Sequence, residues 1–281
     1  MGQDEYKKTA NFKTLEGFEK QFRLAETNNG EMYEAIEDDT VRYKAYLEYL
    51  ELGNAYFKRI CFEEGTDHFI AMVKEEYSIY HSVVSKAIKI AVDNQYSLNP
   101  LYFEMCKRKS LRCLGEIWQR QGNNTIEISR PLRKEFSFDD LQQSIGRLHV
   151  LLDFFYIHEQ SNESDVSVNT RTYDINNLDC FAFIVHGEGE VQLCFIDGGK
   201  CLAERINDYN NSGDYFSEIT NRVFSNIKDK SLIICADGDI TRINIAALPY
   251  QKKYITDFFP VRNIMSVEDI VYPSVSFKVM I

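Results

Sequence analysis

Apolar and polar positions along the chain predict helices in the first half and strands in the second. Up to residue 157, apolar side chains recur at intervals of three and four residues, which is typical of amphipathic helices. One helix is predicted to contain residues 111–118 and to stop at Gly122. The other predicted helices cover residues 13–30, 32–36, 40–61, 66–80, 83–92 and 139–157. Residues 1–157 are therefore expected to form an all-α region.

Two segments of this region share a Leu-Gly-x-x-aromatic pattern. They are Tyr49-x-x-Leu52-Gly53-x-x-Tyr56 and Leu111-x-x-Leu114-Gly115-x-x-Trp118. The pattern is typical of the first helix of a tetratricopeptide repeat, in which the glycine allows a second helix to pack closely. The two matches begin at residues 49 and 111 and are thus 62 residues apart, which is not a multiple of the repeat length of about 34. An irregular, repeat-like bundle is therefore favoured over a regular array.

A polar segment separates the predicted helices from the predicted strands. Residues 158–177 have almost no core-forming side chains, so we expect a linker. After it, residues 180–185 and 191–196 predict an antiparallel hairpin. A helix over 214–226, strands over 232–236 and 259–264, and a short turn over 267–270 follow. Residues 178–281 are therefore expected to form an α/β domain.

The stretch from Ser231 to Tyr250 has the most informative pattern. An apolar, β-branched run ends at Asp237-Gly238, and Ile243 and Ala246-Ala247-Leu248-Pro249 follow. Such a run predicts a buried strand that is covered on both faces of its sheet. Asp-Gly is a favourable turn pair, because glycine adopts positive φ without steric penalty.

These residues resemble the strand–Asp-Gly–Ala-Ala-Leu block of CHAT domains, which are caspase-like domains often fused to tetratricopeptide repeats. Residues 254–262 are similar to the segment that follows the block in that family, and the resemblance covers residues 180–274. It implies an α+β chain of two parts, with TPR-like helices before a partial caspase-like α/β domain. It also implies a cysteine endopeptidase lineage whose helices bind a protein partner or regulator.

The resemblance also implies where a catalytic Cys–His dyad belongs. Both residues should lie beyond Leu248, at the ends of strands that follow Ser274. The sequence has no histidine after His186 and no cysteine after Cys235. We therefore expect the chain to be inactive alone, either as a fragment or as half of a sheet that a second chain completes. The alternative is a non-catalytic pseudo-peptidase scaffold.

A complete small peptidase is a further alternative. His186 ends one predicted strand and Cys235 lies in a later one, which imitates the order of a caspase dyad. Simpler interpretations are a hairpin-turn histidine and a buried strand thiol.

Composition and charge exclude several classes of function. The chain has 32 basic and 43 acidic residues, for a net charge of −11, whereas a nucleic-acid interface needs a basic face. The local basic run at residues 107–109 is expected to be a solvated helix face. No apolar run approaches the ~20 residues of a membrane helix, so no membrane partner is expected.

Cysteine usage predicts a reducing, cytoplasmic location. The seven cysteines are odd in number and lack Cys-x-x-Cys spacing, so neither a disulfide framework nor a zinc site is indicated. We expect no cofactor, because Gly187-x-Gly189 does not open a helix as a dinucleotide-binding loop must. Three acidic residues, Asp197, Asp237 and Asp239, are interpreted as turn residues rather than metal ligands.

Overall fold

The chain forms two compact units in a computed structural model. One unit comprises Met1–Ile126 with Gln160–Tyr173, and the other comprises Glu127–Glu159 with Asp174–Ile281. The structure describes Gly17, Lys20, Tyr33 and residues 35–63, 66–121, 136–158, 178–225, 227 and 230–272. The predicted linker after residue 158 and most of the predicted helices at 13–30 and 32–36 lie outside these ranges.

The described part of the first unit contains three long helices. They are α1 (Asp39–Glu63), α2 (Thr66–Asp93) and α3 (Asn99–Gln121), and each packs against the other two. The Asp38 carboxylate accepts hydrogen bonds from the backbone amides of Thr40 and Val41 and so caps α1. Pro100 occupies the first turn of α3, where its missing N–H has no intrahelical partner to lose.

The predicted helices that fall within the described ranges of this unit are confirmed, with one difference. Residues 40–61 and 111–118 are helical as expected, but the two helices predicted at 66–80 and 83–92 are one continuous helix. A tetratricopeptide-type arrangement stays a prediction.

The second unit surrounds a sheet of five strands. The strands are β1 (His149–His158), β2 (Leu178–His186), β3 (Gln192–Gly198), β4 (Ser231–Cys235) and β7 (Val261–Ile264). A separate two-stranded hairpin consists of β5 (Pro249–Tyr250) and β6 (Lys253–Tyr254). The helices are α4 (Phe138–Ile145), α5 (Gly199–Asn207), α6 (Gly213–Phe224) and α7 (Glu268–Val271).

The sheet is mixed, with the strand order β3-β2-β1-β4-β7. Strands β1, β4 and β7 run parallel, whereas β2 is antiparallel to both β1 and β3. The predicted hairpin of β2 and β3 and the predicted strands β4 and β7 are confirmed. The expected α+β class is thus correct at the level of helices and a mixed sheet.

Burial of β4 agrees with its two-sided apolar sequence. Its residues from Leu232 to Cys235 are all buried, although their side chains alternate between the two faces of the sheet. On one face, α6 contributes the buried side chains of Phe216, Ile219 and Val223. Together with Phe154 of β1 these side chains line a cavity of about 20 Å³, which has room for about one water molecule.

The helix predicted over 139–157 is wrong for its second half. Residues 138–145 form α4, which begins with a capping box between Ser137 and Asp140, and the chain then turns at Gly146 with φ 65°. Residues from His149 onward form β1, the central strand of the sheet, so the all-α region does not extend to residue 157. A strand buried on both faces has no polar alternation, and its apolar run imitates helical spacing.

Two further features of this unit were not predicted from the sequence. Helix α5 begins directly after β3, at Gly199. The residues after β4 form single 3₁₀ turns at Gly238–Arg242 and Ile245–Ala247 before the short hairpin.

Candidate functional site

The carboxyl end of β4 holds Cys235, the cysteine of the alternative dyad. Its Cα is in register with Asp153 of β1 and Ile264 of β7, so strands flank it on both sides. Cys235 is 0 % exposed, and its Sγ lies 3.6 Å from the carbonyl oxygen of Met265. A thiol enclosed in this way contributes to the core and is inaccessible to a peptide substrate.

His186 lies at the carboxyl end of β2, in register with Val150 of β1. Its Nδ1 is 3.4 Å from the Lys230 ammonium. Partial burial lowers the pKa of His186, and the positive charge of Lys230 lowers it further. The neutral form of the imidazole is therefore favoured near neutral pH.

The strand register separates His186 from Cys235. Since β2 is antiparallel to β1 and β4 is parallel to it, His186 lies at the amino end of β1 and Cys235 lies three positions further along. Three positions along a strand and two strand spacings across correspond to about 14 Å between the Cα atoms. The reference positions on β1, Val150 and Asp153, also point to opposite faces of the sheet. The structure does not bring this pair together as a catalytic dyad.

The segment around His186 is instead a packed turn. The side-chain amide of Gln142 donates to the backbone carbonyl oxygens of His186, at 3.2 Å, and Gly189, at 2.9 Å. Gly187 lies so close to Gly146 that a side chain has no room there. This packing alone accounts for glycine at position 187.

The acidic turn residues bind neighbouring backbone or side-chain donors. Asp237 accepts a 2.8 Å hydrogen bond from the amide of Gly238, whose φ is 50°. Asp197 likewise accepts from the amide of Gly198 at 2.8 Å. Within the described ranges, no group of three or more His, Cys, Asp or Glu residues is arranged to hold a metal ion. For Asp239 the structure describes the backbone but not the side chain.

A cluster around Asp197 was not predicted from the sequence. The Tyr215 hydroxyl donates to Asp197 at 2.6 Å, and burial followed by this hydrogen bond raises the pKa of Tyr215. Cys201 is exposed on α5, and its pKa is raised chiefly because Asp197 accepts a hydrogen bond from the thiol. Cys201 is therefore protonated near neutral pH and is a poor nucleophile. The sequence separates these residues by up to 18 positions, so only the fold brings them together.

The basic run at residues 107–109 is not the solvated helix face that was expected. Arg108 and Lys109 are each 5 % exposed. The Arg108 Nε donates to the Asn54 side-chain oxygen at 2.8 Å, and its guanidinium lies over the Phe57 ring at 4.1 Å from the ring centroid. The Asn54 amide donates in turn to the Glu104 carboxylate at 2.8 Å. This polar cluster joins α1 to α3 and is structural in character.

Comparison of the chain with protein-family models, with curated proteins and with solved structures found no match. No helix in the described ranges has the length and apolar character that crossing a membrane requires. The resemblance to CHAT domains thus stays a prediction.

Proposed function

We propose that the second unit is a caspase-like sheet of the CHAT type and that the 281 residues act by binding other proteins. Support comes from the order of features: a parallel β1–β4–β7 layer, an Asp-Gly turn after β4, and the Ile245–Ala247 turn before β7. The lineage implied by this order is that of cysteine endopeptidases.

The single observation that favours binding over catalysis is the separation of His186 from Cys235. A thiolate nucleophile needs its base within hydrogen-bond reach, about 3 Å. His186 and Cys235 lie on opposite faces of the sheet, in register with positions of β1 that are three residues apart. A peptidase that uses His186 and Cys235 is therefore disfavoured. We propose instead a non-catalytic pseudo-peptidase scaffold.

The helical unit is the proposed docking part for a protein partner or regulator. Its sequence carries two Leu-Gly-x-x-aromatic motifs, and stacked helical repeats use extended surfaces to bind proteins. Completion of the sheet by a second chain is proposed at β7, which is an outer strand of the described sheet.

Active-site labelling tests the absence of catalysis. The purified chain is treated with an electrophilic, caspase-directed cysteine probe, alone and after Cys235→Ala or Cys201→Ala substitution. We expect no stoichiometric labelling at Cys235 and no peptide hydrolysis that depends on it. Labelling of one site in every molecule, lost in Cys235→Ala and kept in Cys201→Ala, would sink this proposal.

A cytoplasmic location is proposed from the cysteines. No disulfide joins any two of the five cysteines whose side chains the structure describes, which are Cys106, Cys180, Cys194, Cys201 and Cys235. Non-reducing gels of protein taken from cells under thiol-blocking conditions test this, because a native disulfide would contradict a reducing compartment.

A further inference from the structure

The β5–β6 hairpin is joined by a turn with unusual backbone geometry. Gln251 and Lys252, the two residues between the strands, have φ of 48° and 66°. Two consecutive left-handed residues form the type of turn that normally carries Asn-Gly. Neither residue here is glycine or asparagine, so the Cβ of each meets the steric penalty of the left-handed region. Strain of this kind persists only where the surrounding structure enforces it.

The base of the hairpin is firmly packed. Tyr250 is 4 % exposed, its ring packs against Phe224 at 5.8 Å and Phe259 at 5.8 Å, and its hydroxyl reaches the Phe224 carbonyl oxygen at 3.3 Å. The backbone amide of Ile255 donates to the carbonyl oxygen of Leu248 at 3.1 Å. The tip is thus held rigidly by the core beneath it, which reduces the conformational entropy lost when a ligand binds.

The rigid tip exposes both positive charge and aromatic surface. Lys252 and Lys253 are exposed, and neither forms an ion pair with any carboxylate that the structure describes. Tyr254 is 59 % exposed and Phe258 is 40 % exposed. Asp257, the nearest acidic residue in sequence, accepts a hydrogen bond from the Tyr254 amide at 2.8 Å. Exposed aromatic side chains are enriched at protein interfaces, and the neighbouring lysines supply positive charge that carboxylates of a partner can complement.

We propose that this hairpin tip, defined by Lys252, Lys253, Tyr254 and Phe258, is a docking surface for a short acidic segment of a partner protein that carries an apolar anchor. Charge complementarity supports the acidic character, because the tip is locally basic on a chain of net charge −11. The exposed rings supply the apolar contact.

The same charge balance favours a short segment over an anionic membrane. A charge on a short peptide is screened from the rest of the protein beyond about 8 Å at physiological salt, so it is influenced mainly by the tip. A flat anionic bilayer is wider than the tip and is repelled by exposed acidic residues beside it, such as Asp257. The protein segment is therefore the occupant that the charges favour.

Selection from a display library of random 12-residue peptides tests the proposal on the full chain. Peptides are enriched on the wild-type protein and counter-selected on the Lys252→Glu, Lys253→Glu double variant. A double variant at two exposed lysines of the helical unit, Lys44→Glu and Lys89→Glu, changes the net charge equally and is the matched control.

We expect enriched peptides to be acidic with one or more large apolar residues. Their affinity should fall about tenfold or more in the tip variant and stay unchanged in the control. A third variant, Tyr254→Ser, keeps the lysines and should lower affinity for the same peptides. Far-UV circular dichroism checks that each variant is folded.

Any of four results would overturn the proposal. The first is the absence of any peptide that discriminates between the wild type and the tip variant. The second is equal loss of binding in the control, which would indicate a general charge effect. The third is retention on phosphatidylserine vesicles, but not on phosphatidylcholine vesicles, without any selective peptide. Light scattering measures self-association. If the wild type self-associates and the tip variant does not, the tip binds a second copy of this chain and not a partner protein.

Discussion

Gly187 packs directly against the backbone of Gly146. A Cβ atom built on Gly187 would lie 2.9 Å from the Cα of Gly146, and nearer still to its carbonyl carbon and oxygen. The contact joins the turn after β2 to the end of α4, two segments that are distant in sequence. It also shows why glycine follows His186 without any appeal to catalysis.

Gly187→Ala is therefore expected to destabilise the second unit by about 1 to 3 kcal/mol, as overpacking of a tight contact does. Urea unfolding followed by far-UV circular dichroism measures the change in free energy. Gly213→Ala is the control, because nothing lies within 4 Å of a Cβ at that position, and it should stay within about 0.5 kcal/mol of the wild type. Equal stability of the two variants would show that the close approach is absent in solution.

Relief of the strained turn should stabilise the chain. Lys252→Gly removes the steric penalty of a φ of 66° and is expected to raise the free energy of unfolding by about 0.5 to 1 kcal/mol. Thermal unfolding of the full chain measures this, and Lys253→Gly, placed on the neighbouring strand, should instead lower stability. A decrease in both variants would mean that residue 252 is not left-handed.

The pH dependence of stability is expected to carry a contribution from His186. Its pKa in the folded protein lies below the unfolded value, so the unfolded state binds the proton more readily. The contribution is present above about pH 6.5, the unfolded pKa, and is lost as the pH falls below it. His186→Asn should therefore make the loss of stability between pH 7.5 and pH 5.5 smaller in urea titrations. His149→Asn is a control on the adjoining strand, and an unchanged slope in His186→Asn would contradict the expectation.

Thiol reactivity should follow the burial and hydrogen bonding of the cysteines. Cys235 and Cys180 are each 0 % exposed and are expected to resist iodoacetamide in the folded protein. Cys201 is accessible, but its raised pKa should shift its alkylation to higher pH than that of a free cysteine. Asp197→Asn removes the negative charge that keeps the Cys201 thiol protonated. The pKa of Cys201 should fall, so its alkylation should begin at lower pH. Peptide mass spectrometry assigns each site, and an unaltered pH profile in Asp197→Asn would contradict the role of Asp197.

The buried polar cluster of the helical unit should be sensitive to loss of Asn54. Asn54→Ala leaves Arg108 Nε and Glu104 without this partner, and a buried polar group without a hydrogen bond costs about 1 to 3 kcal/mol. The sole tryptophan, Trp118, lies on α3, so its fluorescence follows unfolding of this unit. Glu48→Ala, at an exposed position of α1, is the control and should be nearly neutral. If Asn54→Ala lowers the free energy of unfolding by less than about 0.5 kcal/mol, water satisfies the hydrogen bonds that Asn54 makes in the wild type.

The sequence by itself determined the elements that local physics specifies. Ser137 and Asp140 mark the start of α4, because a capping box needs only residues three apart. Helical spacing predicted α1, and turn residues between apolar runs predicted the β2–β3 hairpin and the Asp237-Gly238 turn after β4. Each of these depends on neighbours within a few positions along the chain.

Only the tertiary structure decided what depends on distant contacts. The periodicity of residues 149–157 is compatible with a helix, and pairing with β2 and β4 makes that segment the central strand. The same pairing places His186 and Cys235 on opposite faces, although their order along the chain suggested a dyad. In the sequence, Arg108 has the appearance of a surface cation. In the fold it is buried, because Asn54 and Phe57 of α1 contact its guanidinium group. Strand register and burial arise from partners dozens of residues away, and no local pattern records them.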